Sequence, residues 1–318
     1  MNIPPRWAYL AVFIGVIGHA SSEFFAKLSG VSGPEVSVWR YVIGAGGLLL
    51  WALARPETRD LWSPLKAEWK SFVPLALIGV SGAYLAFHWA LDFASVIQVA
   101  TVVTTIPIFV GLINRVVNGE RISAVKLVTG VMAMAGIAFL LTDGYLGALA
   151  GGSETIWGVL LAIVCAALGS GYAVLAKPYM VRHGGMRITT LALMIGAAGL
   201  FVIVGLGWGI WINPLEIVEM PSVAMWSLLT LAILNTTITQ VLWFGGLTAA
   251  TDMTRASYLF FLKPVIAAIL AVLILAEEPT LLQGLAIVVV TGSVAVEVFW
   301  PRIVAAFRRA PTNGTPTQ

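Results

Sequence analysis

Charge is what this sequence has least of. Only 10% of its 318 residues are charged, while 59% are hydrophobic; a soluble domain carries roughly 25% charged residues. With a mean hydropathy of +0.94, there is too little polar material to cover a water-facing surface. A soluble globular protein is excluded. Cysteine is almost absent too: Cys165 stands alone, which leaves no intrachain disulfide and no cysteine-based zinc site. Also missing are a Walker sequence, a GxGxxG that opens a helix, and an HExxH. ATP hydrolysis, dinucleotide binding and metalloprotease chemistry therefore have no motif to rest on, and no cofactor is expected. The net charge is +3 and the pI near 9.1. Yet the bases form no patch or stripe, so no nucleic-acid partner is expected.

What the chain has in quantity is apolar length. A bilayer core of about 30 Å needs roughly 20 apolar residues per helix. Such stretches fall near 7–28, 34–54, 72–93, 95–117 and 124–142, then near 156–177, 188–212, 223–246, 252–276 and 281–300. The expected fold is an all-α membrane protein of ten transmembrane helices. The first stretch is too long for a signal-peptide core and has a counterpart later in the chain, so it is kept in the mature protein. With the N-terminus in the cytoplasm, all but three of the 18 Lys and Arg residues fall in inner loops or terminal segments, as the positive-inside rule asks. The exceptions are Lys27, Arg40 and Lys263. Both termini are thus expected inside, in a bacterial inner membrane.

The two halves echo each other. Trp7 and Lys27 are 20 apart, as are Trp157 and Lys177; Pro107 precedes Glu120 by 13, and Pro264 precedes Glu277 by 13. Each copy holds five spans, an odd number, so the second must enter the membrane in the opposite sense. The expected organisation is a 5+5 inverted repeat: residues 1–145, residues 156–300, and a basic, disordered cytoplasmic tail over 301–318. Inverted repeats of this kind place a binding site at mid-membrane and expose it to alternating sides.

These residues resemble the drug/metabolite transporter superfamily in its ten-span EamA branch. The resemblance is carried by Leu91-Asp92-Phe93-Ala94-Ser95 leading to Pro107 and by Asn118-Gly119-Glu120-Arg121. In the second half it is carried by Thr248-Ala249-Ala250-Thr251, Leu262-Lys263-Pro264 and Ala276-Glu277-Glu278-Pro279, and in span two by Val38-Trp39-Arg40-Tyr41. It covers about residues 7–300 and implies a secondary exporter of amino acids or other small metabolites. Exporters of drugs and other organic solutes belong to the same superfamily and form the alternative. Small multidrug exporters that look like half of this chain carry a membrane Glu where His19 stands here and Gly169 stands in the second half. A proton-coupled carboxylate that binds cations is therefore not carried over.

Charges at membrane depth need a partner or a wet cavity, so they are the candidate ligands. At about 1.5 Å per residue, Lys27 lies at the outer interface, with Glu23 and His19 deeper on the same helix face. Glu23 could neutralise Lys27 or clamp Arg40 of span two; His19 is either a core histidine or a proton or substrate ligand. Lys263 sits near the midplane beside Pro264, with Ile106-Pro107 as its uncharged counterpart. It either locks helices against a carboxylate or meets an anionic group of the substrate. Gln98, Thr101 and Thr105 form a polar stripe on span four, answered by Arg255, Tyr258 and Leu262 on span nine. Helix packing is the ordinary use of such stripes. His88 and Asp92 read as a solvated rim pair, and Asn235 and Gln240 as interhelical glue.

The candidate substrate-binding set is Lys263, His19, Glu23, Arg40, Gln98 and Tyr258, with Pro107 and Pro264 as hinges. The expected partner is a small carboxylate-bearing substrate, with protons as the candidate coupling ion. An intramembrane enzyme built on Ser170 with His19 or His88 is the rival from another class; it requires that serine within hydrogen-bond reach of a histidine. A non-transporting scaffold would instead have a packed interior.

Overall fold

The computed structural model describes residues 3–94, 99, 102–142, 153–266, 269 and 281–309. No strand occurs among the described residues. Six helical stretches are long and apolar enough to cross a membrane: Pro5–Leu28, Gly33–Leu53, Trp62–Phe93, Ile156–His183, Gly185–Trp208 and Ser222–Ala249. Three shorter apolar helices, Ile106–Asn118, Ala124–Phe139 and Gly284–Trp300, accompany them. Many of the large apolar side chains on these helices are exposed, among them Leu50, Val131 and Leu206. A helix apolar on its outer side as well as its inner side faces lipid. The protein is integral to a membrane.

The helices are α1 (Ala8–Ala20), α2 (Ser22–Leu28), α3 (Gly33–Leu53), α4 (Trp62–Ala76), α5 (Ala83–Phe93), α6 (Ile106–Asn118) and α7 (Ala124–Thr142), followed by α8 (Ser153–His183), α9 (Gly185–Trp208), α10 (Ser222–Ala232), α11 (Thr239–Ala249), α12 (Met253–Ser257) and α13 (Leu281–Arg309). Their ends follow local chemistry. Pro34 and Glu35 open α3, where the missing N–H costs nothing and the acid meets the helix dipole. The amide of Gly33 donates to the Asp92 carboxylate at 3.0 Å, so the end of α5 caps the start of α3. Gly119, at φ 69°, closes α6 in the left-handed conformation that only glycine adopts freely.

Two crossings share an unusual plan. Between α4 and α5 the chain makes a π-helical turn, Leu77–Gly82, and between α10 and α11 it makes another, Ile233–Ile238. Each is followed by an eleven-residue helix. A π turn leaves backbone carbonyls poorly matched, and in lipid these must be satisfied within the protein. The hydroxyls of Thr236, Thr237 and Thr239 do this, donating to the carbonyls of Leu231, Ala232 and Leu234 at 2.8, 3.1 and 2.9 Å. Each turn also reaches a neighbour: Ser81 donates to the Gly196 carbonyl of α9 at 2.9 Å, and Thr237 to the Gly44 carbonyl of α3 at 2.8 Å.

Packing runs in matching pairs. Helix α1 lies along α11 and α8 along α5, α3 crosses α9, and α7 packs on α13. At the first two contacts the backbones touch through glycine. A Cβ on Gly246 would sit 2.8 Å from the Ala8 carbonyl, and one on Gly158 would sit 2.9 Å from the Ala90 carbonyl. Small residues at such crossings let dispersion act between backbones, the main attraction available in lipid.

Four departures from the sequence reading have physical reasons. The third crossing begins at Trp62 rather than near 72, because the Asp60 carboxylate accepts from the Ser63 amide at 3.1 Å and starts the helix in the polar segment. The sixth continues past Lys177 and Pro178 to His183. Span nine is not one continuous α-helix: α12 passes into a 3-10 turn, Tyr258–Leu262, and α-helix resumes over 263–266. Finally, the tail assigned to 301–318 as disordered is helical as far as Arg309, where the helix formers Ala and Arg carry α13 beyond its apolar section. Residues 310–318 lie outside the described residues.

Candidate functional site

A cavity of about 60 Å³ lies at the middle of the bundle, walled by α1, α3, α5, α6, α8, α11 and the segment around residues 260–263. Its walls are largely apolar and aromatic: Phe87, Trp243, Phe244 and Phe260 contribute rings, and Ala83, Val103, Val110 and Ala173 fill between them. Three bases enter it, His19, Arg40 and Lys263, together with Ser22, Tyr84 and Ser170. At that volume it admits a few waters; pockets that hold small molecules run to about 300 Å³ or more. A bound solute therefore requires the helices to part.

Lys263 is 4% exposed. Its ammonium lies over the faces of Phe87 and Phe260, 5.7 and 5.6 Å from the ring centroids, where the ring quadrupole attracts a cation. Pro264, which follows it, cannot donate to the preceding turn, and the 3-10 turn at Tyr258–Leu262 gives way to α-helix at this point. His19 stands edge-on to Trp243 and Phe260, at 5.8 and 5.6 Å between ring centres. Its Nε2 is buried and has no hydrogen-bond partner among the described residues. A cation over aromatic faces and an imidazole thus line one cavity.

Arg40 is 1% exposed and is held by the second π turn. Its Nε donates to Thr236 Oγ1 at 2.7 Å, Nη2 donates to the Asn235 carbonyl at 3.0 Å, and Nη1 meets His88 Nε2 at 3.3 Å. The rings of Tyr41 and Tyr84 lie 5.5 and 5.9 Å from the guanidinium carbon. His88 Nδ1 lies 3.0 Å from the Tyr84 carbonyl and 2.8 Å from Ser37 Oγ. The tautomer with hydrogen on Nδ1 satisfies that carbonyl and leaves Nε2 as the acceptor for Arg40. His88 is therefore not half of a solvated rim pair: it is fully buried, and Asp92 caps α3 instead.

The other candidates disperse. Tyr258 does not line the central cavity. Its hydroxyl donates to the Lys126 carbonyl, and its ring borders a separate small hollow with Pro107, Gly130 and Thr254. Lys27 donates to the Leu91 carbonyl at 2.8 Å. Gln98 lies outside the described residues, as does the side chain of Glu23. Pro107 stands at the first turn of α6, after a break in which the amide and hydroxyl of Thr105 both bond the Val102 carbonyl. Pro264 similarly opens the helical stretch that follows a non-α turn. Asn235 and Gln240 act as glue: the Asn235 amide donates to the Gly18 carbonyl and to Ser21 Oγ, and the Gln240 amide donates to the Tyr84 hydroxyl. The Ser170 hydroxyl donates to the Ile106 carbonyl at 3.3 Å; no bond from it to a histidine occurs among the described residues.

Reading the sequence alone missed the partners of Arg40 and a charge network at one end of the bundle. In that network Lys126 pairs with Asp252 at 2.9 Å, and Arg255 with the fully buried Glu297 at 3.1 Å. Glu297 is a lone carboxylate inside an apolar run, which was a visible signal. The partners of Arg40 had none: Thr236 and Asn235 lie almost 200 residues away and His88 lies 48 away.

Comparison with known proteins agrees with this architecture. The sequence model of the EamA-like transporter family matches twice, over residues 6–142 and 156–299. An uncharacterized transporter of Archaeoglobus fulgidus is 26% identical over 251 residues, covering 77% of this chain and 80% of the relative. One of Clostridium kluyveri is 22% identical over 300 residues, covering 90% and 91%. The uncharacterized transporter YdfC of Bacillus subtilis is 25% identical over 294 residues, covering 89% and 88%. A crystal structure with 21% sequence identity superposes with a TM-score of 0.74, covering 93% of this chain and 98% of its own.

Proposed function

The chain belongs to the EamA-like transporter family, and on that premise we propose that it is a secondary exporter of small carboxylate-bearing metabolites, amino acids among them. The observation that carries this reading is Lys263, a buried amine on the wall of a largely apolar, aromatic cavity. A substrate carboxylate meets the ammonium, and the apolar remainder of the solute lies against Phe87, Trp243 and Phe260. Holding a carboxylate in a dry interior is costly, and an ammonium beside it lowers that cost while the rings exclude water. With no nucleotide motif in the sequence, the energy comes from gradients. Protons are the coupling ion in this reading, and His19, which lines the cavity and whose Nε2 has no hydrogen-bond partner among the described residues, is the group that exchanges them.

The movement is alternating access by two inverted five-helix repeats, ten helices in all, divided near residue 150. The double family match and the matching helix pairs support that division. Pro107 and Pro264 are the places where a helix begins again after a turn, and they bend there as the halves rock. The basic loop residues set the orientation, with both termini in the cytoplasm of a bacterial cell and the carrier in its inner membrane.

The test is counterflow into proteoliposomes with pooled labelled amino acids and organic acids. Wild type takes up label and Lys263→Ala does not. A folded wild type that carries none of the pool would remove the carboxylate reading and leave other organic solutes as the cargo.

A further inference from the structure

A second cavity, of about 570 Å³, lies at the end of the bundle, between the loop that follows α3, the last turn of α8 and the start of α9. Arg55, Arg182, His183 and Arg187 enter it. Two of these cations are held without being neutralised. Arg187 donates through Nε and Nη2 to the Glu57 backbone carbonyl, at 3.0 and 2.7 Å. That fixes the guanidinium plane, uses two of its five N–H groups and leaves its charge intact. Arg55 lies on the face of Trp51, 5.3 Å from the ring centre. Glu68 takes Arg182 and His183, but no carboxylate lies within ion-pair distance of Arg55 or Arg187 among the described residues. Glu57 lines the same space and Asp60 stands near Arg187, so the surplus of positive charge is modest and localised on the two guanidinium groups that no carboxylate pairs among the described residues.

The setting is that of a headgroup layer. Val181, 69% exposed, forms part of the wall, and Trp62 and Trp69 are exposed on the neighbouring helix, as indoles at a membrane interface are. Helix α9 begins at the floor after Gly184, whose φ of 94° turns the chain sharply, and its first amides have no partner within the helix. Fork-shaped guanidinium groups match phosphate oxygens geometrically, and basic pockets between helices at membrane-surface level hold anionic lipid heads.

We propose that this cavity binds the phosphate of an anionic phospholipid, with Arg55 and Arg187 as its ligands and Val181 against the start of an acyl chain. The lipid clamps the loop after α3 to the joint between α8 and α9. A free phosphate would satisfy the same two arginines, so the test separates the sources.

Native mass spectrometry of the purified full chain, stripped of lipid and titrated with phosphatidylglycerol or phosphatidylcholine of equal acyl length, reads the affinity. Phosphatidylglycerol binds more tightly, and Arg55→Gln/Arg187→Gln weakens it by at least about five-fold, the effect of about one surface cation or more. Arg115→Gln/Arg121→Gln, at the end of α6 and in the loop after it, leaves it unchanged. If the first double variant misfolds, Arg55→Gln alone, which breaks no hydrogen bond among the described residues, carries the test. Equal losses in both double variants, or no loss in the first, would overturn the proposal. Tight binding of inorganic phosphate, lost in the same double variant, with no preference for phosphatidylglycerol over phosphatidylcholine would also overturn it, assigning the site to a free anion.

Discussion

Replacing Arg40 with lysine keeps the buried charge and removes only its geometry, which makes it the sharpest probe of the bundle's centre. The guanidinium ties three elements together: α3, on which it sits, the π turn Ile233–Ile238 through Thr236 and Asn235, and α5 through His88. An ammonium on a flexible stem meets one of these acceptors well, and not the three together. A charge-assisted hydrogen bond contributes about 1.5–3 kcal/mol, and an acceptor left unpaired in a dry interior costs about 1–3 kcal/mol. The desolvation of the charge itself is common to both side chains and cancels. Partial rearrangement recovers some of the loss, so Arg40→Lys should destabilise the fold by about 2–4 kcal/mol. Reversible unfolding in mixed micelles, followed by tryptophan fluorescence, measures this. Thr236→Val, which removes one acceptor, should cost less, and in Arg40→Lys the second substitution should add less than it does in wild type. A stability within about 0.5 kcal/mol of wild type for Arg40→Lys would refute the claim that the fork organises the π turn.

Three further outcomes follow from the geometry. Gly246→Ala places a methyl 2.8 Å from the Ala8 carbonyl and should cost about 1–3 kcal/mol in the same assay, the ordinary effect of overpacking; a neutral result would mean that α1 and α11 separate freely. Glu297→Ala strips Arg255 of its buried partner and should destabilise by about 3 kcal/mol, with Arg255→Met restoring more than half; additive losses would show that the two do not act as a pair. The Asp60 carboxyl is held below its ordinary value of 3.8 by the Ser63 amide and hydroxyl. Its contribution to the start of α4 is therefore complete above that value and is lost as the pH falls through the lower folded one. Hydrogen exchange in residues 62–66 should rise in that acid window, and Asp60→Ala should show the faster exchange already at neutral pH.

How legible the protein was in its sequence depends on the distance over which each feature is specified. Apolar runs are local, and they located the described crossings to within several residues at most ends. Pro107 and Pro264 are local as well, and both mark helix starts. The first π turn carries no such mark: Leu77–Gly82 is largely apolar, and its one hydroxyl, that of Ser81, bonds a neighbouring helix. Arg40 looked like a partner for Glu23 because span one is adjacent in sequence, whereas its bonds run to the π turn Ile233–Ile238 and to His88 of α5. Tyr258 was misplaced for a reason available at the outset. Five residues along a helix turn the side chain by about 140°, so Tyr258 and Lys263 could not share a face, and the 3-10 turn between them did not restore it. Lys263 and His19, by contrast, were visible as polar residues with no cheap route to water, and they do line one cavity.

The most direct test of the central claim compares a transported carboxylate with its own amide in competition for counterflow. If the Lys263 ammonium binds the carboxylate, wild type should prefer the acid by about 10-fold or more, as loss of one charge-assisted hydrogen bond implies, and Lys263→Gln should not distinguish the two. A wild-type-like preference for the acid in Lys263→Gln would place the anion elsewhere and contradict the account.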